Sequence, residues 1–298
     1  MRKLKKIWAL STDLLRMCLF KGSSRGENEM RKDNGRQSLD TICGALSQIM
    51  GIEAPAEANK GNEDLIAYAD KIFGGEKADR IFMYNPDAVA QWIYKKYPQL
   101  MKEAIKRTEK EIPLESVMPS VTPVCFATMY SGAQPEVHGI RKYQKPVLTI
   151  DTIFDALIRA GKKPVIVAES KCSIAEIFLK RDMDYFIYDT IEEVNAKAME
   201  VILEDKYDFV VVYNGNYDSL MHKWGPEGLE ALSELRANSE AFAMFSALIE
   251  KHWQKHNTLI GFAMDHGCHE IDGECGSHGL DMDEDMEIVH LYKAYKRG

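Results

Sequence analysis

Short apolar runs alternate with helical stretches along most of this chain, and that alternation limits the possible folds more than any other feature. Three runs, in Lys163–Val167, Asp208–Tyr213 and Leu259–Met264, are largely apolar. Such runs are typical of strands that are buried on both faces of a parallel sheet. The apolar spacing of a helix instead occurs in Ile191–Leu203, in Asp151–Ala160, where Asp151 is the expected N-cap, and in a long stretch that starts at Gly225-Pro226 and includes Leu229 as a core residue. The sequence therefore predicts an α/β protein with a mostly parallel central sheet and helices on both faces, in three α/β/α layers.

The N-terminal quarter of the chain lacks this regular alternation. The regular alternation begins with a predicted strand at Arg80–Tyr84, so we expect the main domain to span residues 76–298. Residues 1–75 are expected to form an extension that packs on or near the core. Within this extension, Leu39–Met50 has the pattern of a short amphipathic helix that ends at Gly51.

The first twenty residues have only some features of a signal peptide. Asp13 and Arg16 interrupt the apolar region, and no small-residue cleavage site follows it. We predict a short strand at Lys6–Leu10 and a helix at Asp13–Leu19. No run of 18 apolar residues occurs, so no transmembrane helix is expected. The six dispersed cysteines show no disulfide framework, which favours a reduced, cytoplasmic protein.

Composition excludes one broad class of function. The 298 residues are 45% hydrophobic and 28% charged, which is ordinary for a soluble globular protein. The net charge of -8 argues against a general nucleic-acid binder, because such proteins are normally basic. An acidic protein can still bind phosphate where metal ions supply the local positive charge.

Acidic and imidazole side chains follow three of the predicted strands. Asp265 and His266 end the apolar run at Met264, and Asp87 follows the strand Arg80–Tyr84. Asp218 and His222 follow the strand Asp208–Tyr213 and are four residues apart, which places both on one face of a helical turn. His278 comes twelve residues after His266. Carboxylates and imidazoles together suit Zn²⁺, Mn²⁺ or Fe.

Each of these pieces also has an alternative interpretation. Asp87 and the Asp265-His266 pair are equally typical of turns and helix caps, and Asp218 with His222 is consistent with a surface pair in a loop. A separate structural zinc site is a further alternative. It would use Cys268, His269, Cys275 and His278, although their spacing does not follow the usual rules for such sites.

A hydroxyl pair precedes another predicted helix. Ser120 and Thr122 lie just ahead of Val124–Tyr130, and Gly132 is placed to end that helix. A hydroxyl at a helix N-terminus is well placed to attack a phosphate, because the free N–H groups and the helix dipole favour an anion there. A capping role for the same residues is the alternative.

The order and spacing of these pieces resemble those of the alkaline phosphatase superfamily, most closely its type I phosphodiesterase/nucleotide pyrophosphatase branch. The resemblance covers the chain from about Arg80 to the C-terminus. It rests on Thr122 followed by three short motifs, on Asp218 and His222 with a Gly-Pro pair, and on Asp265-His266-Gly267 with a later His-Gly. The three short motifs are Ser131-Gly132, Pro135-Glu136 and His138-Gly139-Ile140, and the other pairs are Gly225-Pro226 and His278-Gly279.

The resemblance implies an enzyme with a nucleophilic threonine and two divalent metal ions, zinc or alternatively manganese. Thr122 would be the nucleophile. One ion would be held by Asp87, Thr122, Asp265 and His266, and the other by Asp218, His222 and His278. His138 would be a structural part of its motif rather than a ligand.

The implied substrate is a small-molecule phosphoester, and the reaction is expected to be phosphodiester or pyrophosphate hydrolysis. Tyr143 stands where the diesterase branch usually has an asparagine, which leaves a phosphomonoesterase or a phosphomutase as alternatives. A non-catalytic metal-binding protein is a further alternative. Arg141, Lys142, Tyr143 and Asn85 are candidate substrate contacts. The sequence predicts no oligomeric state.

Overall fold

A computed structural model describes residues 35–298, and residues 34–298 form one compact unit. The strand and helix expected at Lys6–Leu10 and Asp13–Leu19, and the residues of the possible signal peptide, lie outside the described residues. Residues between 35 and 75 contribute a strand to the sheet and two helices with buried faces.

The main sheet has eight strands. They are β1 (Gln37–Ser38), β2 (Arg80–Pro86), β3 (Lys110–Glu115), β4 (Pro164–Glu169), β5 (Asp184–Tyr188), β6 (Phe209–Asn214), β7 (Thr258–Phe262) and β10 (Glu287–Tyr295), and a separate hairpin pairs β8 (His269–Ile271) with β9 (Cys275–Ser277). The spatial order of the main sheet is β1-β3-β10-β7-β2-β6-β4-β5. Within the described main sheet, β10 is the strand that runs antiparallel to both of its neighbours, β3 and β7. The predicted mostly parallel sheet is confirmed.

Twelve helices surround the sheet in the described part of the chain. They are α1 (Thr41–Met50), α2 (Glu63–Phe73), α3 (Gln91–Lys96), α4 (Lys102–Lys106), α5 (Thr122–Ser131), α6 (Pro135–His138), α7 (Ile153–Arg159), α8 (Ser173–Ile177), α9 (Ile191–Glu204), α10 (Asn216–Trp224), α11 (Leu229–His252) and α12 (Asp283–Met286). None of these described helices combines the length and apolar character needed to cross a bilayer.

Side chains alternate between two apolar layers because successive strand residues point to opposite faces. On one face, Tyr84 of β2 lies 5.8 Å from Phe245 of α11, between ring centroids. On the other face, Phe209 of β6 lies 6.4 Å from Tyr130 of α5. Helices therefore cover both faces of the central strands, as the largely apolar runs predicted.

Three local predictions differ from the structure. The long helix begins at Leu229 after Gly228, not at Gly225-Pro226, and Leu229 is 83% exposed rather than part of the core. The helix expected over Asp151–Ala160 is shorter. Its N-cap is Thr152, whose amide donates to the Asp155 carboxylate in a capping box, so Asp151 does not serve as the cap.

Candidate functional site

The candidate site lies at the carboxyl ends of three adjacent strands, β7, β2 and β6. Open α/β sheets commonly bind ligands at this edge. Asp87 follows β2, Asp265 and His266 follow β7, and α10 begins two residues after β6. Parallel pairing therefore brings side chains from distant parts of the sequence to one place.

The Asp87 cluster consists of Asp87, Asp265, His266 and Thr122. His266 Nε2 lies 3.4 Å from Asp87 Oδ1 and 3.3 Å from Asp265 Oδ2. The Thr122 hydroxyl lies 3.3 Å from His266 Nε2 and 3.3 Å from each oxygen of Asp87. All four side chains are buried. The structure thus assembles the four residues that the resemblance assigned to one metal ion.

The Asp218 cluster consists of Asp218, His222 and His278. Asp218 Oδ1 lies 3.3 Å from Nε2 of each imidazole, and the two Nε2 atoms are 3.1 Å apart. Asp218 and His222 lie one turn apart on α10, as their spacing predicted. His278 arrives from the segment after β9. The two clusters adjoin, because the rings of His266 and His278 are 4.1 Å apart between centroids.

Both clusters fit a divalent metal. Zinc bonds to nitrogen and oxygen ligands are about 2.0 to 2.2 Å long, and a tetrahedron of that size has edges of about 3.3 to 3.6 Å. The distances between donor atoms in the two clusters are 3.1–3.4 Å. Asp218 Oδ1 and Asp265 Oδ2 are also buried without a hydrogen-bond partner. Since such oxygens are costly to bury unpaired, a bound cation would satisfy both.

Main-chain carbonyls orient the three imidazoles. Nδ1 of His222 lies 3.0 Å from the Gly276 carbonyl, and Nδ1 of His278 lies 3.0 Å from the Ser120 carbonyl. Nδ1 of His266 lies 2.9 Å from the Gly267 carbonyl. A proton on each Nδ1 leaves Nε2 as the free electron pair that faces the cluster, which is the usual arrangement of metal-binding histidines.

The electrostatics of the site reflect three carboxylates close together, of which Asp87 and Asp265 are buried and Asp218 is partly buried. Burial, reinforced by the charge of Asp218, raises the pKa of Asp87 to about 7. Burial and the charge of Asp87 raise the pKa of Asp265 well above its ordinary value. Burial and the neighbouring His278 lower the pKa of His266 well below its ordinary value. The Asp87 cluster therefore lacks positive charge of its own.

The Asp218 cluster behaves differently because it holds two imidazoles. Burial opposes ionisation of Asp218, but the neighbouring His222 and His278 lower its pKa. Burial also opposes the charged form of His222, yet Asp218 raises its pKa to about 9. Without a metal this cluster is therefore held by its own ion pair.

A segment near the C-terminus links the two clusters. The Asp285 carbonyl accepts a hydrogen bond from Gly267 N at 2.7 Å, and its carboxylate accepts one from Leu280 N at 2.8 Å. Gly267 follows His266, and Leu280 lies two residues after His278. A β-carbon on Gly267 would lie 2.0 Å from the Glu284 carbonyl oxygen, so only glycine fits there.

Only one of the four predicted substrate contacts lines the cleft above the clusters. The cleft measures about 200 Å³, and Tyr143 forms part of its wall. Asn85 instead donates to the Ala263 carbonyl at 2.8 Å and accepts from the Tyr130 hydroxyl, so its amide is fully used in the core. Arg141 donates to the Glu136 carbonyl at 2.9 Å. Neither Arg141 nor Lys142 lines the cleft.

Several residues that line the cleft were not singled out from the sequence. Lys145, Glu169 and Lys171 form part of its wall, and so does Tyr213, whose hydroxyl donates to Asp87 Oδ2. Glu169 ends β4 and Tyr213 lies at the end of β6. The rule that function gathers at the carboxyl ends of parallel strands would have identified both.

The alternative structural zinc site is not assembled. His269 Nδ1 lies 2.8 Å from Asp285 Oδ1, and the Cys268 sulfur lies 3.8 Å from the Tyr217 hydroxyl. His138 also stays apart from both clusters. Its Nε2 lies 3.0 Å from the Thr128 hydroxyl, and its Nδ1 accepts a hydrogen bond from Ile140 N at 3.2 Å.

Comparison with known proteins identifies relatives only by structure. No protein-family model matches the chain, and no curated protein matches it. Murine ectonucleotide pyrophosphatase/phosphodiesterase 5 superposes with a TM-score of 0.51 at 17% identity, over 64% of this chain and 58% of that one. Its inactive threonine-to-alanine variant in complex with AMP superposes with a TM-score of 0.51 at 17% identity, over 65% and 58%.

A second kind of enzyme is equally similar. Phosphonoacetate hydrolase from Sinorhizobium meliloti 1021, in complex with phosphonoformate, superposes with a TM-score of 0.50 at 18% identity, over 66% of this chain and 59% of that one. The described chain thus spans less than two thirds of the length of each structure. This chain has the α/β fold of these proteins, with the expected mostly parallel central sheet and helices around it.

Proposed function

We propose that this chain is a metal-dependent phosphoester hydrolase that uses Thr122 as its nucleophile. The observation that carries the proposal is the position of the Thr122 hydroxyl, 3.3 Å from Asp87 and from His266 and on the wall of the cleft. Thr122 is the first residue of α5, a helix of ten residues. The positive end of the helix dipole favours an anion beside this hydroxyl.

The proposal includes two divalent ions, zinc or alternatively manganese. Asp87, Asp265, His266 and Thr122 would hold one ion, and Asp218, His222 and His278 the other. The mixture of carboxylate oxygens and imidazole nitrogens suits zinc. When bound, two such ions would neutralise the phosphoryl charge and make the Thr122 hydroxyl acidic enough to ionise.

The residues of the chain then perform a two-step transfer. Thr122 Oγ1 attacks phosphorus in line with the leaving group. The bond between Oγ1 and phosphorus forms as the bond between phosphorus and the leaving oxygen breaks, which gives a phosphothreonine. Water then hydrolyses the phosphothreonine and releases phosphate or a phosphomonoester.

The test compares hydrolysis of p-nitrophenyl phosphate, bis-p-nitrophenyl phosphate and p-nitrophenyl thymidine monophosphate, with Zn²⁺ or Mn²⁺ and with EDTA. We expect turnover that EDTA abolishes and that Thr122→Ala removes while the protein stays folded. Thr128→Ala is the matched control, because it removes a buried hydroxyl from the same helix outside the cleft. Undiminished activity in Thr122→Ala would refute the nucleophile.

A second candidate is hydrolysis of small phosphomonoesters or phosphonates rather than diesters. The cleft of about 200 Å³ is smaller than the roughly 300 to 1,000 Å³ of sites for drug-sized ligands. Lys145 and Lys171 line it and suit a dianion. Turnover of p-nitrophenyl phosphate alone would favour this candidate. Phosphate transfer to a second hydroxyl, with no release of free phosphate, would identify a mutase.

A further inference from the structure

Tyr213 stands out among the cleft residues because its hydroxyl bonds directly to a proposed metal ligand. Tyr213 lies on β6, opposite Asn85 of β2. Asn85 in turn is two residues before Asp87. Its hydroxyl donates to Asp87 Oδ2, and the whole side chain is only 5% exposed. Among the described residues, the hydroxyls of Tyr213 and Thr122 donate to this carboxylate oxygen.

The surroundings of Tyr213 fix its ring in one place. Phe126 of α5 makes an edge contact with the ring, with centroids 5.8 Å apart and planes at 78°. On another side, a β-carbon on Gly215 would lie 2.8 Å from the Tyr213 hydroxyl and 3.1 Å from its Cε1. Glycine at this position therefore leaves the space that the ring needs. The hydroxyl has a defined direction, toward Asp87.

This contact leaves the two oxygens of Asp87 in different environments. Oδ2 receives the Tyr213 hydroxyl, whereas Oδ1 faces His266 Nε2 at 3.4 Å. A carboxylate whose second oxygen is occupied in this way presents one oxygen to a cation. Ligating carboxylates are commonly held by such hydrogen bonds, and loss of the partner weakens the site.

Resting on the proposed function, we propose that Tyr213 is a positioning residue that fixes Asp87 as a one-oxygen ligand in the Asp87 cluster. Tyr213 acts through Asp87 and takes no chemical step itself. Its hydroxyl engages Oδ2 and leaves Oδ1 facing His266 and the other donors of the cluster, where it would hold the ion.

The test measures zinc binding by competition with a chromophoric chelator, which does not depend on activity. We expect Tyr213→Phe to weaken one of two bound zinc ions by about 10- to 100-fold and to leave the other unchanged. Added Zn²⁺ should restore turnover. Tyr292→Phe is the matched control, because it removes a buried hydroxyl that contacts His290 on β10, away from the clusters.

Gly215→Ala provides a second variant that keeps the Tyr213 hydroxyl but displaces the ring. We expect it to weaken the same single ion. If Tyr213→Phe binds both zinc ions with wild-type affinity, the positioning role of Tyr213 is overturned while the proposed function stands. An unfolded Tyr213→Phe would also overturn it, because the hydroxyl would then serve the fold. A wild-type protein that binds neither Zn²⁺ nor Mn²⁺ would instead refute the proposed function.

Discussion

Removal of the two proposed metal ions is expected to lower the free energy of unfolding of the protein by several kcal/mol. A ligand present at a thousand times its dissociation constant stabilises the folded state by about 4.1 kcal/mol per site. Two sites therefore contribute about 8 kcal/mol. For a unit of this size, 1 kcal/mol corresponds to about 2 °C in the melting temperature, so EDTA should lower it by about 16 °C.

The Asp265→Asn variant tests whether the buried carboxylates account for this shift. Asp265 is fully buried, its Oδ2 lacks a hydrogen-bond partner, and Asp87 lies in the same cluster. Without metal, replacement of this charge by a neutral amide of the same shape removes an unfavourable buried carboxylate. We expect metal-free Asp265→Asn to be at least as stable as metal-free wild type.

With metal the order should reverse. Asp265→Asn loses a ligand of one cluster, so zinc should raise its melting temperature by only about half as much as in wild type, or about 8 °C. Differential scanning calorimetry with and without EDTA measures both shifts. A zinc-induced gain in the variant equal to that of wild type, or a gain in wild type below about 3 °C, would refute the reasoning.

Two further predictions concern acid stability and substrate charge. Burial lowers the pKa of His138 to about 4, so its imidazole is neutral in the fold, whereas the unfolded chain takes up the proton below pH 6.5. The free energy of unfolding is therefore lost as pH falls from 6.5 toward 4, by about 2 kcal/mol between pH 7 and 5. In His138→Asn, the free energy of unfolding measured by urea denaturation should depend less steeply on pH. Equal slopes in the variant and in wild type would contradict this. Lys145→Met should raise KM for p-nitrophenyl phosphate about tenfold, because it removes a charge-assisted contact with the substrate. Lys142→Met is the control and should leave KM unchanged, because Lys142 is exposed and lies outside the cleft. Equal effects of the two variants in steady-state kinetics would exclude Lys145 as a substrate contact.

The parts of the fold that could be predicted are those whose strands are buried on both faces. β6 and β7 are largely apolar and were located to within two residues. β3 was missed because it alternates buried and exposed positions and contains Pro113. β10 was missed although most of it is buried. No pattern in the sequence indicated that β10 would pair antiparallel with β3 and β7.

The candidate site likewise has residues that could be predicted from the sequence and residues that could not. Its acidic and imidazole residues come in short motifs, most of them after predicted strands, so they could be singled out from the sequence, whereas their division into two sets rested on the resemblance to the alkaline phosphatase superfamily. Substrate contacts depend on which face of a strand a side chain occupies. Asn85 lies on β2 opposite Tyr213, yet its amide bonds in the core, whereas the Tyr213 hydroxyl reaches Asp87. That difference depends on strand register and packing, which spacing along the chain does not encode.

Asp285 has a consequence for how the two ions load. Its carbonyl secures the residue after His266, and its carboxylate secures the backbone two residues after His278. An ion that immobilises either histidine also restrains this shared segment, which leaves less conformational entropy to be lost when the second ion arrives. Thermodynamic coupling of this kind is reciprocal, so the two proposed sites are expected to fill cooperatively.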